Sequence, residues 1–395
     1  MTQSLVRQDI EERDAAGVPE IKTMAELRSA LQAAMTLEYT TIPAYLSGLW
    51  TIPDRKGKYQ GLANILQQIV ICEMRHLSIA ANVLIAVGGF ADVRSAAAPT
   101  YPRLLPAGFE QLKKIPLLNY GEAYAKLGVF IEQPENPCED WIRGDVNTSE
   151  VNVAAGAAPT EGVTYVRLGK NGPLMPFVLA PYPSIGAFYT EVKKGITALV
   201  AQYGNDYVFP NKGSLGNQYL YFGGQDYIGV SDENSALALL SDVIDEGEGD
   251  DGKMWDENGD ISHYFAFLGL SDHKKFVEGD VECNPTGHLD IPTDSEVTQI
   301  VPDPRMYLYE LGTPAYERAD EFNTLYAALV DNLHIGFNGC PGQVDYAIGQ
   351  MNLLEARAAE IYKCTVRVGG KEYRAAPTFE LPPYVSPLLA DAVRG

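Results

Sequence analysis

The chain has 395 residues, 46% of them hydrophobic, and its 52 acidic and 30 basic residues give a formal net charge of −22 at pH 7. This excess of carboxylates, with no cluster of Lys or Arg, argues against a nucleic-acid partner, because phosphate backbones are bound by basic groups. The sequence contains no apolar run of about 18 residues, which a membrane span requires. The N-terminal segment MTQSLVRQDIEERDAAG lacks the apolar core of a signal peptide, so we expect a cytoplasmic globular protein.

The N-terminal part of the chain predicts two long helices. They cover 24–50 and 61–88, and the second ends at glycine, which adopts the left-handed conformation of a C-cap without strain. A turn-rich stretch at about 96–116 and a short amphipathic segment at 119–132 follow.

The middle of the chain alternates between short strands and helices. Strands are predicted at 161–168 and 173–180, around the turn-forming sequence Lys-Asn-Gly, and helices at 184–203 and 235–248. An acidic loop, 249–261, interrupts the last of these patterns, and we expect a helix to restart directly after it.

The C-terminal part predicts two closing helices, 314–336 and 342–363, and a tail, 365–395, that packs as an extended arm. No linker divides the chain, so we predict one domain over 1–395. It is mainly α-helical, a four-helix bundle with extra C-terminal helices and with insertions of loops and short strands. The bundle core is expected at about 24–90, 184–275 and 314–363, and the insertions at about 96–183 and 279–310.

The cysteines are widely spaced, odd in number and without a CxxC pair. This arrangement predicts reduced thiols rather than a disulfide framework or a zinc site. They are Cys72, Cys138, Cys283, Cys340 and Cys364.

The second predicted helix carries a carboxylate and an imidazole on its apolar face. Its apolar positions, from Leu62 to Val87, follow steps of four and three residues, and Glu73 and His76 fill two positions of the same stripe. At this spacing both side chains project into one space. An unpaired buried carboxylate is costly, and Glu-x-x-His facing into a bundle is a half-site of di-iron and di-manganese proteins. The pattern therefore predicts a metal site.

The first predicted helix repeats the arrangement with Glu38, which fills a gap in an apolar stripe from Leu27 to Leu49. A single Glu in such a stripe is also explained by pairing with a basic residue, and Arg75 is available for this. Carboxylates at core positions of two neighbouring helices favour the metal site, because unpaired Glu is rarely buried.

The other half of a bundle site needs ligands from two later helices. The third predicted helix offers Glu191, on a face with small residues, although an exposed Glu beside Lys193 and Lys194 fits the sequence equally well. On the fourth predicted helix the apolar stripe leads to Glu248.

The position three residues beyond Glu248 is Asp251 instead of the expected histidine. Three glycines around Glu248 predict that the helix ends there, since each destabilises a helix by roughly 1 kcal/mol relative to alanine. We expect the acidic loop to project outwards and His263, the next histidine, to return to the metal. His263 is equally consistent with an ordinary first residue of a helix capped by Ser262.

Several of these segments resemble the ferritin-like domain of the iminophenyl-pyruvate dimer synthases of violacein- and rebeccamycin-type indole alkaloid pathways. The resemblance spans about 25–363 and departs from the family pattern at Glu246, which stands where Gln is expected, so the ligand is carried onto Glu248. The segments are LRSALQAAMTLEYTTIPAYL, ICEMRHLSIAANVLIAVGG, LGVFIEQPENP, FYTEV, and IDEGEG followed by SHYFAF.

The resemblance implies a centre of two metal ions, iron or alternatively manganese, and we interpret the chain as a non-haem di-metal oxidase or oxygenase. Dioxygen and a small aromatic-amine or amino-acid-derived substrate are the expected partners, and a homo-oligomer is left open. The alternatives are a non-catalytic metal-binding bundle for iron handling or scaffolding, and a metal-free helical protein. The candidate ligands are Glu38, Glu73, His76, Glu191, Glu248 and His263, and the nearby Tyr39, Tyr45 and Tyr189 are interpreted mainly as core packing.

Overall fold

The computed structural model describes residues 20–106, 114–138, 164–167, 174–177, 182, 184–211, 215–222, 225–226, 228–249, 253–256 and 259–383. Within these residues the protein is mainly α-helical, and each sheet is a two-stranded antiparallel ribbon. The apolar faces of the helices bury a cluster of hydrophobic side chains that draws on every long helix. The predicted helical bundle with extra helices and short-strand insertions is confirmed.

Two long helices, α1 (Met24–Thr51) and α2 (Gln60–Ala86), form an antiparallel pair. α1 begins at a capping box built on Thr23. Near the start of α1, Arg28 donates a hydrogen bond of 2.9 Å to the Val87 carbonyl just after α2, which ties the two ends together. Both helices run without a break, so their apolar stripes face the rest of the bundle along their full length.

The chain then crosses back along the bundle before the next long helices. This crossover contains α3 (Val93–Ala97), which packs on α1, and a ribbon of β1 (Arg103–Leu104) and β2 (Lys114–Ile115). It leads to α4 (Glu122–Glu132).

α4 and α5 (Ile185–Tyr203) line α1 at successive levels. Towards the C-terminal end of α1, Tyr124 of α4 donates a hydrogen bond of 2.9 Å to the Tyr45 carbonyl. About two turns nearer the N-terminus of α1, Tyr189 of α5 donates one of 2.5 Å to the Glu38 carboxylate. The two helices therefore follow α1 in one direction, antiparallel to it, as a single bundle helix that is interrupted between them.

α7 (Glu233–Gly247) and α8 (His263–Ser271) form the fourth bundle helix, which is interrupted in the same way. α7 packs beside α5, and α8 packs beside α4. Near its end α7 contacts α2 through Glu246, while Phe267 of α8 packs against Tyr45 with ring centroids 4.9 Å apart. The result is a four-helix bundle with one long crossover, in which two helices are continuous and two are interrupted.

Apart from the two closing helices and the hairpin that follows them, the other described elements are short. The predicted strands of the middle region are β3 (Thr164–Arg167) and β4 (Leu174–Phe177), which pair antiparallel, and the turn predicted between them lies outside the described residues. The others are α6 (Asn205–Val208), β5 (Tyr221–Phe222), β6 (Gln225–Asp226), β7 (Lys274–Lys275) and β8 (Gly287–His288), with single 3-10 turns at 215–217 and 306–308.

Two closing helices, α9 (Pro314–Phe337) and α10 (Gly342–Ile361), form a pair that packs on the outer face of α1 and α2. The expected extended arm begins instead with a hairpin of β9 (Thr365–Val368) and β10 (Lys371–Arg374). The hairpin forms because two consecutive glycines with positive φ provide its turn. Residues 375–380 follow without regular secondary structure and are buried, and the end of the tail, 384–395, lies outside the described residues.

The expectation of five reduced thiols is wrong for Cys138 and Cys283, which form a disulfide. Their separation of 145 residues hides the pairing in the sequence, but the segment after α4 and the loop after α8 bring their Cα atoms to 5.7 Å. Cys72, Cys340 and Cys364 are free thiols.

Among the described residues one helix, α2, is long and apolar enough to cross a membrane by length and composition alone. In its most apolar stretch 72% of the residues are buried inside the protein, as in the core helix of a bundle. This burial gives no support for a membrane span.

Candidate metal centre

Three side chains from the continuous helices meet in the interior of the bundle. Glu38 of α1 and Glu73 and His76 of α2 are each at most 3% exposed. The Nδ1 atom of His76 lies 3.7 Å from the Glu38 Oε2 atom and 3.9 Å from the Glu73 Oε1 atom. Thr41 donates a hydrogen bond of 2.6 Å to the Glu73 Oε2 atom and orients this carboxylate. The three residues do share one space, and their role as ligands stays a prediction.

Two further side chains join them from the interrupted helices. His263, the first residue of α8, places its Nδ1 atom 2.7 Å from the Glu73 Oε1 atom and 3.8 Å from the Glu132 Oε2 atom. Glu132 is the last residue of α4 and accepts a hydrogen bond from the Tyr45 hydroxyl. We call the five residues Glu38, Glu73, His76, Glu132 and His263 the central cluster.

The central cluster has the donor set of a metal site. His263 is only 3% exposed, and neither ring nitrogen makes a hydrogen bond of regular geometry to the described residues, although Nδ1 lies 2.7 Å from the Glu73 Oε1 atom. One donor atom each from Glu73, His76 and His263 lies within 4.8 Å of the other two, close enough to bind a single ion. Carboxylate oxygens together with imidazole nitrogens suit iron or manganese, so the residues present fit such an ion.

Burial shapes the ionisation of the residues from α1 and α2. It raises the pKa of Glu38 to about 7, against the hydrogen bond from Tyr189, which lowers it. A cation in the cluster would favour the ionised form of this carboxylate at neutral pH. Burial also lowers the pKa of His76 to about 3, so the imidazole is neutral and keeps a lone pair for a metal.

His263 differs from His76, because its pKa is raised well above the usual value. Burial alone would lower the pKa, but the neighbouring Cys72 thiol and the Glu132 and Glu73 carboxylates outweigh burial. Metal binding to His263 must therefore release a proton.

Two predicted ligands lie outside the central cluster. Glu191 of α5 forms an ion pair of 2.5 Å with Lys194, one turn along the same helix. Glu248, directly after α7, accepts hydrogen bonds from the Gly186 N–H at 2.5 Å and the Ser184 hydroxyl at 3.0 Å. Its carboxylate therefore satisfies the N-terminus of α5, where a negative charge is favourable. The expectation that Glu191 and Glu248 lie beside His263 is not met.

Glu132 takes the position in the cluster that the sequence interpretation gave to Glu191. The segment that contains it was noted for its family resemblance, but the residue was not considered as a ligand. A signal was present, because Glu132 continues a stripe of buried positions four residues apart, Tyr124 and Gly128, at the end of an apolar helix.

Glu246 of α7, rather than Glu248, lies beside the histidine of α2. Its Oε2 atom is 3.0 Å from the His76 Nε2 atom and 2.9 Å from the Cys72 Sγ atom, and its carboxylate forms an ion pair with Arg75. The alternative partner proposed for Arg75 was Glu38, and the structure pairs it with Glu246 instead. Asp251, the residue expected not to bind metal, lies outside the described residues.

The three tyrosines near the predicted ligands have different surroundings. All three are buried, as core packing requires. Tyr45 and Tyr189 also donate hydrogen bonds to carboxylates of the central cluster. Tyr39 lies on the other side of α1, where its hydroxyl is 2.6 Å from that of Tyr326.

The fold and the central cluster define a four-helix bundle with a candidate metal-binding interior. The chain belongs to the Ferritin-like family, whose model matches residues 31–272. This range includes α1 from residue 31 onwards, all of α2, both interrupted helices and every residue of the central cluster.

One solved structure shares the fold over almost its whole length. It is a ferritin-like protein from Caulobacter vibrioides, 19% identical, with a TM-score of 0.52 over 91% of this chain and 99% of that one. No curated protein matches the chain. The family and fold predicted from the sequence are therefore confirmed at the level of the ferritin-like bundle.

Proposed function

We propose that the chain is a non-haem di-metal oxidase or oxygenase that uses dioxygen on a small substrate. The observation that carries this proposal is the central cluster: three carboxylates and two imidazoles that are buried together inside a ferritin-like bundle. Two metal ions are the usual content of such a bundle. Iron is the proposed metal, with manganese as the alternative.

The residues of the central cluster would hold the ions. Glu38, Glu73 and Glu132 supply negative charge that offsets the ions, and His76 and His263 supply neutral nitrogen donors. Reduced iron, when bound, supplies the electrons that dioxygen accepts.

The surrounding side chains orient the ligands. Thr41, Tyr45 and Tyr189 each donate a hydrogen bond to one carboxylate, to Glu73, Glu132 and Glu38 respectively. Such partners fix the rotamer of a ligating carboxylate and limit its motion. Because every residue of the cluster is nearly fully buried, bulk water is excluded from the site.

The substrate class rests on the motif resemblance to the iminophenyl-pyruvate dimer synthases. We propose an aromatic amine or an amino-acid-derived molecule as the substrate, and the iminophenyl-pyruvate dimer synthase group as the subfamily. The net charge of −22 makes nucleic acid an unsuitable partner. We also propose that the enzyme acts in the cytoplasm and without a membrane, and that self-association is compatible with this activity.

The test is dioxygen consumption by protein loaded with iron and reduced under anaerobic conditions. The expected result is rapid oxygen uptake with a new ligand-to-metal absorption band, and neither in the Glu73→Ala variant. Iron binding without oxygen uptake would instead support a non-catalytic bundle for iron handling or scaffolding. Protein that binds no iron after growth in iron-rich medium would contradict both functions.

A further inference from the structure

A thiol lies at the outer edge of the central cluster. Cys72, on α2, is half-buried, and its Sγ atom is 3.3 Å from the His76 Nε2 atom and 2.9 Å from the Glu246 Oε2 atom. The third side of this triangle, from His76 Nε2 to Glu246 Oε2, is 3.0 Å. The three atoms belong to different side chains on two helices, α2 and α7, and face one another.

We propose that Cys72, His76 and Glu246 bind a divalent metal ion through sulfur, nitrogen and oxygen. This inference rests on the proposed function, because the ion would be one of the two ions of the metal centre. The expected ion is borderline-soft, zinc or ferrous iron, because thiolate ligands select such ions over magnesium, calcium or manganese.

The distances suit one small ion. With bonds of about 2.3 Å to sulfur and about 2.0–2.1 Å to nitrogen and oxygen, a tetrahedral site separates its ligand atoms by about 3.4–3.6 Å. The observed separations of 3.3, 2.9 and 3.0 Å are shorter than this by about 0.2–0.7 Å. The three donor atoms must therefore move apart by this amount to admit the ion.

The imidazole of His76 faces two groups at once. Its Nδ1 atom faces the Glu38 and Glu73 carboxylates at 3.7 and 3.9 Å, whereas its Nε2 atom is closer to Cys72 and Glu246. A neutral imidazole has a lone pair on only one nitrogen. Binding at the thiol-containing group therefore requires the tautomer with this lone pair on Nε2 and the proton on Nδ1, which faces the two carboxylates.

The second ion position then consists of oxygen and nitrogen donors alone. His263 lies against His76, with ring centroids 5.4 Å apart, and is only 3% exposed. With Glu73 at 2.7 Å and Glu132 at 3.8 Å from its Nδ1 atom, it completes the inner position. The two ions are therefore chemically unequal, the outer one thiolate-bound and the inner one not.

Arg75 lies against two of the three donor atoms. Its Nη2 atom pairs with the same Glu246 Oε2 atom and is 3.6 Å from the Cys72 Sγ atom, so an ion that binds these atoms takes the place of the guanidinium. Binding replaces the S–H bond of Cys72 by a bond to the metal, and the proton passes to solvent at the half-exposed edge of the site. No electron is transferred in this step.

Cobalt(II) provides the test, since a thiolate bound to cobalt gives a charge-transfer band in the near ultraviolet that oxygen and nitrogen ligands do not give. Chelator-treated protein, kept free of reductant so that the disulfide stays intact, is titrated with cobalt(II). The matched control is the double variant Cys340→Ser/Cys364→Ser, in which Cys72 is the only free thiol. The band is expected in the wild type and in this control, and is expected to be absent in Cys72→Ser with cobalt affinity at least about 10-fold weaker.

Cobalt binding without the band in the wild type, or a band that persists in Cys72→Ser, would overturn the inference while leaving the metal centre intact. A wild type that binds no cobalt at all would overturn it as well. A thiolate band in a protein that, loaded with iron, consumes no oxygen would leave the inference standing and contradict the proposed oxidase. The two failures are therefore distinguishable.

Discussion

The two sides of the bundle hold their candidate ligands in different ways. On the continuous side, Glu38, Glu73 and His76 lie in the middle of α1 and α2, with helical hydrogen bonds on both sides of each residue. On the interrupted side, Glu132 is the last residue of α4 and His263 is the first residue of α8. The continuous side is thus a fixed template, whereas the geometry of the interrupted side depends on how the helix ends are held.

The largest expected effect is the loss of a ligand from the continuous side. We expect Glu73→Ala to reduce metal content from about two ions per chain to less than one, because Glu73 contacts both histidines of the cluster. The fold should survive, since the change removes a buried charge. Elemental analysis measures the metal, with Glu191→Ala as the matched control on α5. Equal metal loss in both variants would restore Glu191 as a ligand.

The interrupted side is tested by His263→Ala and Asp251→Asn. His263→Ala should weaken metal binding more than about 100-fold. This exceeds the usual effect of removing a residue that only hydrogen-bonds to a metal ligand. The second should leave affinity unchanged, since the helix that would place residue 251 on the same face ends at Gly247. Metal titration of both variants shows which of the two residues is a ligand. A loss of metal affinity only in Asp251→Asn would show that His263 has been assigned wrongly.

A smaller effect is expected from a hydrogen bond that links the two sides. Tyr45→Phe removes the donor to Glu132 and should weaken metal binding by about 10- to 100-fold. Tyr39→Phe is the control, because the Tyr39 hydroxyl contacts Tyr326 rather than the cluster. If both variants bind metal as the wild type does, the Tyr45 hydroxyl does not position Glu132.

The smallest effect concerns the ends of the interrupted helices. Glu248→Gln removes the negative charge at the N-terminus of α5 and should lower the free energy of unfolding by about 1 kcal/mol. Urea unfolding measures this change. Metal content should be unaffected, and a loss of metal at unchanged stability would return Glu248 to the list of ligands.

The sequence was most informative where helices are continuous. The predicted bounds of α1 and α2 lie within two residues of the observed ones, and the 3.6-residue period placed Glu38, Glu73 and His76 correctly in one space. Periodicity could do this because the face of a residue in an unbroken helix is determined by its spacing from its neighbours.

Helical periodicity does not predict contacts between segments on either side of a helix break. The spacing from one interrupted segment to the next does not determine which residues meet, so the sequence analysis expected Glu191 and Glu248 where the structure places Glu132 and Glu246. His263 was placed correctly only by treating the acidic loop as an insertion. The Cys138–Cys283 pairing was missed for a related reason, since no local pattern reports a contact across 145 residues.

That disulfide stabilises the interrupted side through the unfolded chain. Isolated helices shorter than about 12–15 residues are marginal in water, and α4 and α8 have only 11 and 9 residues. Closing a loop of 145 residues restricts the unfolded ensemble, by a chain-entropy estimate of about 5 kcal/mol. The bridge joins the segments that follow these two short helices. It therefore lowers the entropy of the unfolded chain in the region where the folded helices are least able to support themselves.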